Sequence, residues 1–419
     1  MNKEKSELGR NVALSIQHVF AMFGATVLVP YLTGLDPSVA LFTAGAGTLF
    51  FHFVTGRKMP VFLGSSFAFI VGIQIVRDNF GLAYATGSLI AVGAVYGVMA
   101  LIVRLAGVER VQKFFPPIVT GPIIITIGLI LTPVAIDMAS SNWPVAIITM
   151  IAVVLTSILG RGLAKLVPIL VGIGAGYAAS LAFGIVDFTP VREASWLAAP
   201  AFMAPKFSLE AIKIMAPIAI VTIIEHIGDI TTNGAVVGKN FLVDPGLSRT
   251  LIGDGVATAL AGLLGGPANT TYSENTGVLA ITKVYNPAIL RGAAAVAIAL
   301  SLVGKLGAFI QTVPTAVMGG VSFILFGMIA SIGVKTLVES QPDLTNIRNS
   351  SVVFVILLLG IASLQGEANK AVIQLSKYAS LSGLSLAAIA GIILNAVFEY
   401  VAPAAGKIKA ARREETAEA

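Results

Sequence analysis

The length of its uncharged stretches constrains this chain more than any single motif. Val12–Tyr31, Gly81–Val103 and Ile118–Ile136 each run for 19 or more residues without Asp, Glu, Lys or Arg, and Val352–Ser363 with its flanks continues the pattern. A helix needs roughly 17–25 mostly apolar residues to cross about 30 Å of hydrocarbon. Of the 419 residues, 56% are hydrophobic and 11% charged. That much apolar surface does not fit inside a water-soluble core, so lipid must be part of the solvent.

The pattern predicts an all-α polytopic membrane protein. Fourteen spans are expected near 11–32, 38–55, 60–76, 82–104, 115–137, 143–160, 165–185, 212–236, 250–265, 270–284, 289–310, 314–334, 349–365 and 378–403. With the N-terminus inside, only Arg77, Arg192, Lys206, Lys213, Lys305, Lys370 and Lys377 of the 27 Lys and Arg fall outside. The positive-inside bias thus supports both the span count and two cytoplasmic termini. The first ten residues read as a cytoplasmic tail rather than a removable signal, because the following span has full length and no small-residue cleavage site. The formal charge of +6 does not point to nucleic acid, since the basic residues sit singly at span ends and form no stripe. Zero cysteines exclude a disulfide framework and a thiolate metal site.

Two expected spans are poor plain helices. PVFLGSSFAFIVG (60–72) and GGPANTTYSENTG (265–277) place Gly, Pro and small polar residues at membrane depth, where irregular backbone is tolerated only under cover of protein or beside a cavity. They also correspond: Ser66 and Phe67 lie 207 residues before Ser273 and Glu274, and Gln17 and His18 lie 208 before Glu225 and His226. Pro116 with Gly121 and Pro314 with Gly319 repeat at an offset of 198. A duplication of seven spans, an odd number, forces the second copy to enter the membrane inverted. Inverted repeats with a broken span in each half point to a transport site at the midplane.

Carboxylates within the spans are few and clustered: Glu225, Asp229, Asp254 and Glu274. Each costs about 2.5–3.5 kcal/mol at a helix centre on insertion scales, so each needs a reason. Glu225 and Asp229 are four apart and share a helix face, which makes them a candidate proton carrier; the alternative is that they only hydrogen-bond neighbouring helices. His226 points about 100° away from Glu225 and reads as a structural hydrogen-bonding residue more readily than as a base. Gln17 and His18 read as polar packing in the first span. Phe67 and Tyr272 stand in the breaks, where an aromatic face and backbone amides suit a flat polar ligand.

The runs QHVFAMFGATVLVP (17–30), GSSFAFI (64–70), EHIGD (225–229), NTTYSENTGVLAITKVY (269–285) and VPTAVMGGVSFILFG (313–327) resemble the nucleobase–cation symporters, or nucleobase/ascorbate transporters, and among them the bacterial uracil permeases. The resemblance implies fourteen spans in two inverted seven-span repeats, with short strands in spans 3 and 10. It implies a core from 1–110 and 209–311, a gate from 111–208 and 312–405, and a cytoplasmic tail at 406–419. It further implies a homodimer in a bacterial cytoplasmic (inner) membrane, surrounded by lipid and without nucleic-acid partners, that imports uracil with protons. Protons are the coupling ion, and no other cofactor is expected. By motif, Glu225 and Glu274 bind the ring N–H groups, the backbone at Phe67, Tyr272 and Ser273 meets the carbonyls, Ala25 packs nearby, and Glu225, Asp229 and His226 serve coupling. Uracil offers two N–H donors and two carbonyl acceptors, complementary to carboxylates and backbone amides.

One position departs from the uracil pattern. EHIGD ends in Asp229, an acid common in the purine branch, as is Asp254, whereas purine carriers usually have Gln where Glu274 stands. A xanthine or uric acid symporter is therefore the alternative substrate reading. An anion exchanger or channel of the same fold predicts a cationic residue or bare helix N-termini at the breaks. An enzyme has little support, with three His, no Cys and neither HExxH nor GxSxG.

Overall fold

The computed structural model describes residues 2–162, 164–362, 364, 372–375 and 380–401. The expected tail at 406–419, the ends of the last two expected spans, Lys370 and Lys377 lie wholly or partly outside the described residues. The first half contains α1 (Asn2–Thr33), α2 (Pro37–Val54), strand β1 (Leu63–Ser65), a 3-10 turn at Phe67–Phe69, α3 (Ile70–Phe80) and α4 (Leu82–Ala106). It continues through α5 (Val108–Gln112), α6 (Pro117–Ile130), α7 (Thr132–Ser140), α8 (Trp143–Leu159) and α9 (Pro168–Ala182). After α10 (Thr189–Glu193) closes the first half, the second holds α11 (Leu209–Met215), α12 (Ile218–Val237), α13 (Leu247–Leu264), strand β2 (Asn269–Thr271) and α14 (Ser273–Thr282). It ends with α15 (Pro287–Ser301), α16 (Gly304–Gln311), α17 (Thr315–Ser340), α18 (Ile347–Ala362), the pair β3 (Val372–Gln374) and β4 (Ser380–Ser382), and α19 (Gly383–Ala396).

Among the described residues, seven helical stretches are long and apolar enough to cross a membrane, and five shorter apolar helices accompany them. Local chemistry sets several starts. Asp36 accepts from Val39 N at 2.9 Å with Pro37 next to it, and Asn286 accepts from Ala288 N at 2.9 Å ahead of Pro287. In each case an orphan amide is capped and proline occupies a position that needs no donor. The expected single span at 115–137 is divided into α6 and α7 at Leu131, with Pro133 inside the first turn of α7. Pro217 likewise separates α11 from α12.

Two groups of helices carry most of the packing. In one, α13 lies against α2 and α4, and α15 against α1 and α2. In the other, α17 lies against α6, α7, α8 and α9, while α18 lies against α6 and α19. Gly253 and Gly255 allow the close approach of α13. A Cβ on Gly253 would stand 2.7 Å from the Phe51 ring on α2, and one on Gly255 2.4 Å from Tyr96 Cβ on α4. Small residues at such crossings let helices meet without a clash.

The two expected breaks are real and meet each other. β1 pairs antiparallel with β2 in the register Leu63↔Thr271, Gly64↔Thr270 and Ser65↔Asn269. All six strand residues are buried, so the strands satisfy each other's backbone where lipid and water are both excluded. Ser66 N donates to Ala268 O at 2.8 Å and Tyr272 N to Phe62 O at 3.0 Å, extending the ladder at both ends.

Candidate functional site

Each break runs from a strand into a helix, so α3 and α14 both begin at the centre of the molecule. A helix start carries unpaired N–H groups and a partial positive charge. Against these starts lies α12, with Glu225 and Asp229 one turn apart. The result is a cavity walled by Phe67, Ile124, Glu225, Asp229, Thr270, Thr271, Tyr272, Ser273, Glu274, Ile329 and Ile332. Polar walls come from α12 and the second break, and the first break contributes Phe67; Ile124 of α6 and Ile329 and Ile332 of α17 complete the lining.

Asp229 is firmly tied. Its Oδ1 accepts from Ser273 Oγ at 2.7 Å and its Oδ2 from Thr271 Oγ1 at 3.0 Å. The carboxyl group therefore clamps α12 to both sides of the second break. Glu225 Oε2, by contrast, is a buried oxygen with no protein partner, which leaves it available to a ligand's N–H. Glu274 occupies the first turn of α14, where a carboxylate offsets the helix's positive end.

The remaining expected site residues are distributed differently. The Phe67 ring meets Phe326 of α17 edge-on, with centroids 6.0 Å apart, so it touches both helix groups at the cavity. Tyr272 lines the cavity, but its amide is already donated to Phe62 O. It is therefore not free to meet a ligand carbonyl, in contrast to the expectation, whereas the opening amide of α14 at Ser273 has no partner within its helix. The Tyr272 ring lies over Gly64, where a Cβ would stand 2.4 Å from it, and its hydroxyl donates to Ser65 O at 3.0 Å. The side chain thus braces the pair of breaks.

Ala25 is fully buried but does not line the cavity, and neither does His226. His226 Nδ1 instead lies 3.3 Å from Asp254 Oδ2, both side chains fully buried, joining α12 to α13. His18 receives Asn275 Nδ2 on its Nδ1 and on its carbonyl, each at 3.1 Å, which fits polar packing between α1 and α14. The hydroxyls of Thr270 and Thr271 and the three isoleucines were not singled out by the sequence. Nothing distinguishes Ile124, Ile329 and Ile332 from the apolar residues around them.

Helices of membrane-spanning length, two strand-to-helix breaks paired with each other and a cavity lined by three carboxylates define a multi-pass membrane protein of the transporter class. The Permease family model, Xan_ur_permease, matches residues 9–369. The chain belongs to that family. The uracil permease of Bacillus caldolyticus is 45% identical over 94% of this chain and 93% of its own, and that of Escherichia coli K12 is 40% identical over 95% and 93%. Among solved structures, the transmembrane domain of the cyanobacterial bicarbonate transporter BicA matches 93% of this chain and 97% of its own, at a TM-score of 0.63 and 14% identity. The murine anion transporter Slc26a9 in the inward-facing state matches 93% of this chain and 68% of its own, at 0.68 and 12%. At such identities the likeness is one of fold alone.

Proposed function

We propose that this chain is a proton-coupled symporter that imports uracil across a bacterial cytoplasmic membrane by alternating access. The observation that carries the reading is the convergence of Glu225, Asp229 and Glu274 on one cavity at the meeting of the two breaks, in a chain 40–45% identical to proteins named uracil permeases. Glu225 and Glu274 take the two ring N–H groups. The Ser273 amide and the Phe67 break take the carbonyls, and the Phe67 ring packs nearby. A base lacking one of these groups leaves a buried partner unsatisfied, which is the basis of strong discrimination.

The finer architecture belongs to the same proposal: fourteen spans in two inverted seven-span repeats, with a core at 1–110 and 209–311 moving against a gate at 111–208 and 312–405. The two packing groups support this division, and the strand-then-helix order at Ser66 and Ser273 supports the repeat. The assembly is proposed as a homodimer with cytoplasmic termini. Coupling is assigned to Glu225 and Asp229, with His226 acting from behind through Asp254. Protonation lets the loaded core move without an unpaired buried charge.

Radiolabelled uracil uptake in a uracil-transport-deficient strain, with and without a protonophore, tests the function. Uptake that collapses with the protonophore is the expected result; no uptake, or uptake indifferent to it, overturns the proposal. The acid at Asp229 favours a purine reading instead, and competition by unlabelled xanthine and uric acid decides between the two.

A further inference from the structure

We infer that the base site continues into a second subsite that accepts an apolar substituent carried on the pyrimidine ring. The inference rests on the uracil reading above. Beside the base cavity lies a second cavity of about 250 Å³ that shares four of its walls, Ser273, Glu274, Ile329 and Ile332. Beyond that shared threshold it is lined by α14 and α17, by Phe20 of α1 and Ile169 of α9, and by Lys165. Lys165 lies on the side expected to be cytoplasmic.

Three features suit this space to an apolar arm. Past Ser273 and Glu274 its walls are apolar apart from Lys165, with Val278, Ile281, Leu325 and Met328 among them, so a hydrocarbon group there gains burial and displaces no polar contact. Its size is sufficient, since an apolar void of about 150 Å³ already holds benzene. The space is also open on the helix side: Gly277, one turn beyond Ser273, has nothing within 4 Å of where a Cβ would stand. Unsubstituted uracil leaves this room unused. A 5- or 6-benzyluracil places its ring between the carboxylates and its phenyl group between α14 and α17. Since α14 packs on α1 and α12 whereas α17 packs on α6 to α9, an arm wedged between α14 and α17 opposes their relative movement. The class of ligand is therefore a pyrimidine that binds and is not carried.

The test is equilibrium competition against radiolabelled uracil on purified full-length protein in nanodiscs, using 5-benzyluracil and 6-benzyluracil. At least one isomer is expected to bind at least as tightly as uracil and to block uptake without accumulating. Gly277→Leu fills the subsite from a position outside the base cavity. It is expected to weaken that isomer by about tenfold or more while uracil stays within about threefold, and Met328→Trp, from the facing helix, repeats the result. Retained uracil binding certifies that each variant is folded. The subsite is overturned if uracil binds and both isomers bind about tenfold or more weakly than uracil, or if both variants weaken uracil and the benzyl isomer equally. Failure of the wild-type protein to bind uracil overturns the base assignment and this inference with it.

Discussion

Replacing Asp229 separates positioning from protonation. Its two oxygens hold the Thr271 and Ser273 hydroxyls at 3.0 and 2.7 Å. A hydrogen bond is worth about 0.5–1.5 kcal/mol between neutral groups and about 1.5–3 kcal/mol to a charged one. Asp229 is half-buried at an open cavity, so the freed hydroxyls in Asp229→Ala regain water, and the low end of the range applies to each bond. At about 1.5 kcal/mol for each of the two bonds to the carboxylate the loss is about 3 kcal/mol, or at most roughly a 140-fold rise in the uracil Kd at 1.4 kcal/mol per factor of ten. Asp229→Asn keeps an acceptor and supplies an NH₂ that either hydroxyl can accept by rotating. Its binding stays within about threefold, but its uptake no longer responds to the proton gradient because the ionisable group is gone. Radiolabelled uracil binding to purified protein gives the first quantity, and uptake into vesicles with and without an imposed pH gradient gives the second. Equal binding losses for Ala and Asn would refute the clamp, and gradient-driven uptake by the Asn variant would refute the coupling role.

Three further perturbations follow from the same geometry. Glu274→Gln removes one carboxylate acceptor, and the expected outcome is uracil binding weakened by about tenfold or more with preference moving toward xanthine, read by competition. Gly64→Ala places a methyl group 2.4 Å from the Tyr272 ring; overpacking of this kind costs about 1–3 kcal/mol, so thermal unfolding occurs at lower temperature and uptake is lost together with it. Tyr31→Phe removes the 2.9 Å bond between the Tyr31 hydroxyl of α1 and Thr315 Oγ1 of α17. The chain has no cysteine, so a single Gln311→Cys beside Tyr31 reports the change, and its thiol labelling is expected to speed up severalfold in the Tyr31→Phe background.

Much of this site was legible because the membrane penalises irregularity. Gly, Pro and hydroxyl residues at 60–72 and 265–277 contradict a plain span, and the 207-residue offset matches one break with the other. The structure adds that the breaks pair directly through Leu63–Ser65 and Asn269–Thr271. The facing of Glu225 and Asp229 followed from helical spacing, and both line the cavity. Backbone accounting was less accessible. Tyr272 stands in a break, yet its amide is consumed by Phe62 O, and no local pattern distinguishes a spent amide from a free one. The isoleucine wall was hidden for another reason. Ile124 and Ile329 become site residues only because α6 and α17 pack across from the breaks, a long-range arrangement that leaves no periodic trace.

At 12–14% identity the likeness to BicA and Slc26a9 is one of fold alone, so the ligand chemistry has to be read from this chain's own break residues. The start of α14, which lines the cavity with Ser273 and Glu274, supplies partial positive charge and free N–H groups, a combination that by itself suits an anion. In this chain Glu274 stands in the first turn of α14, and Glu225 and Asp229 face it from α12. These carboxyl groups offset the helix start and add acceptors beside the donors. Carboxyl acceptors set beside backbone donors suit a planar polar ring carrying N–H groups, such as the proposed uracil, better than an anion. Removing an acid therefore does more than delete a hydrogen bond, because it uncovers the positive helix start. The shift toward xanthine expected for Glu274→Gln has this electrostatic component: xanthine loses a proton more readily than uracil, and its anion meets less opposition once one carboxylate is gone.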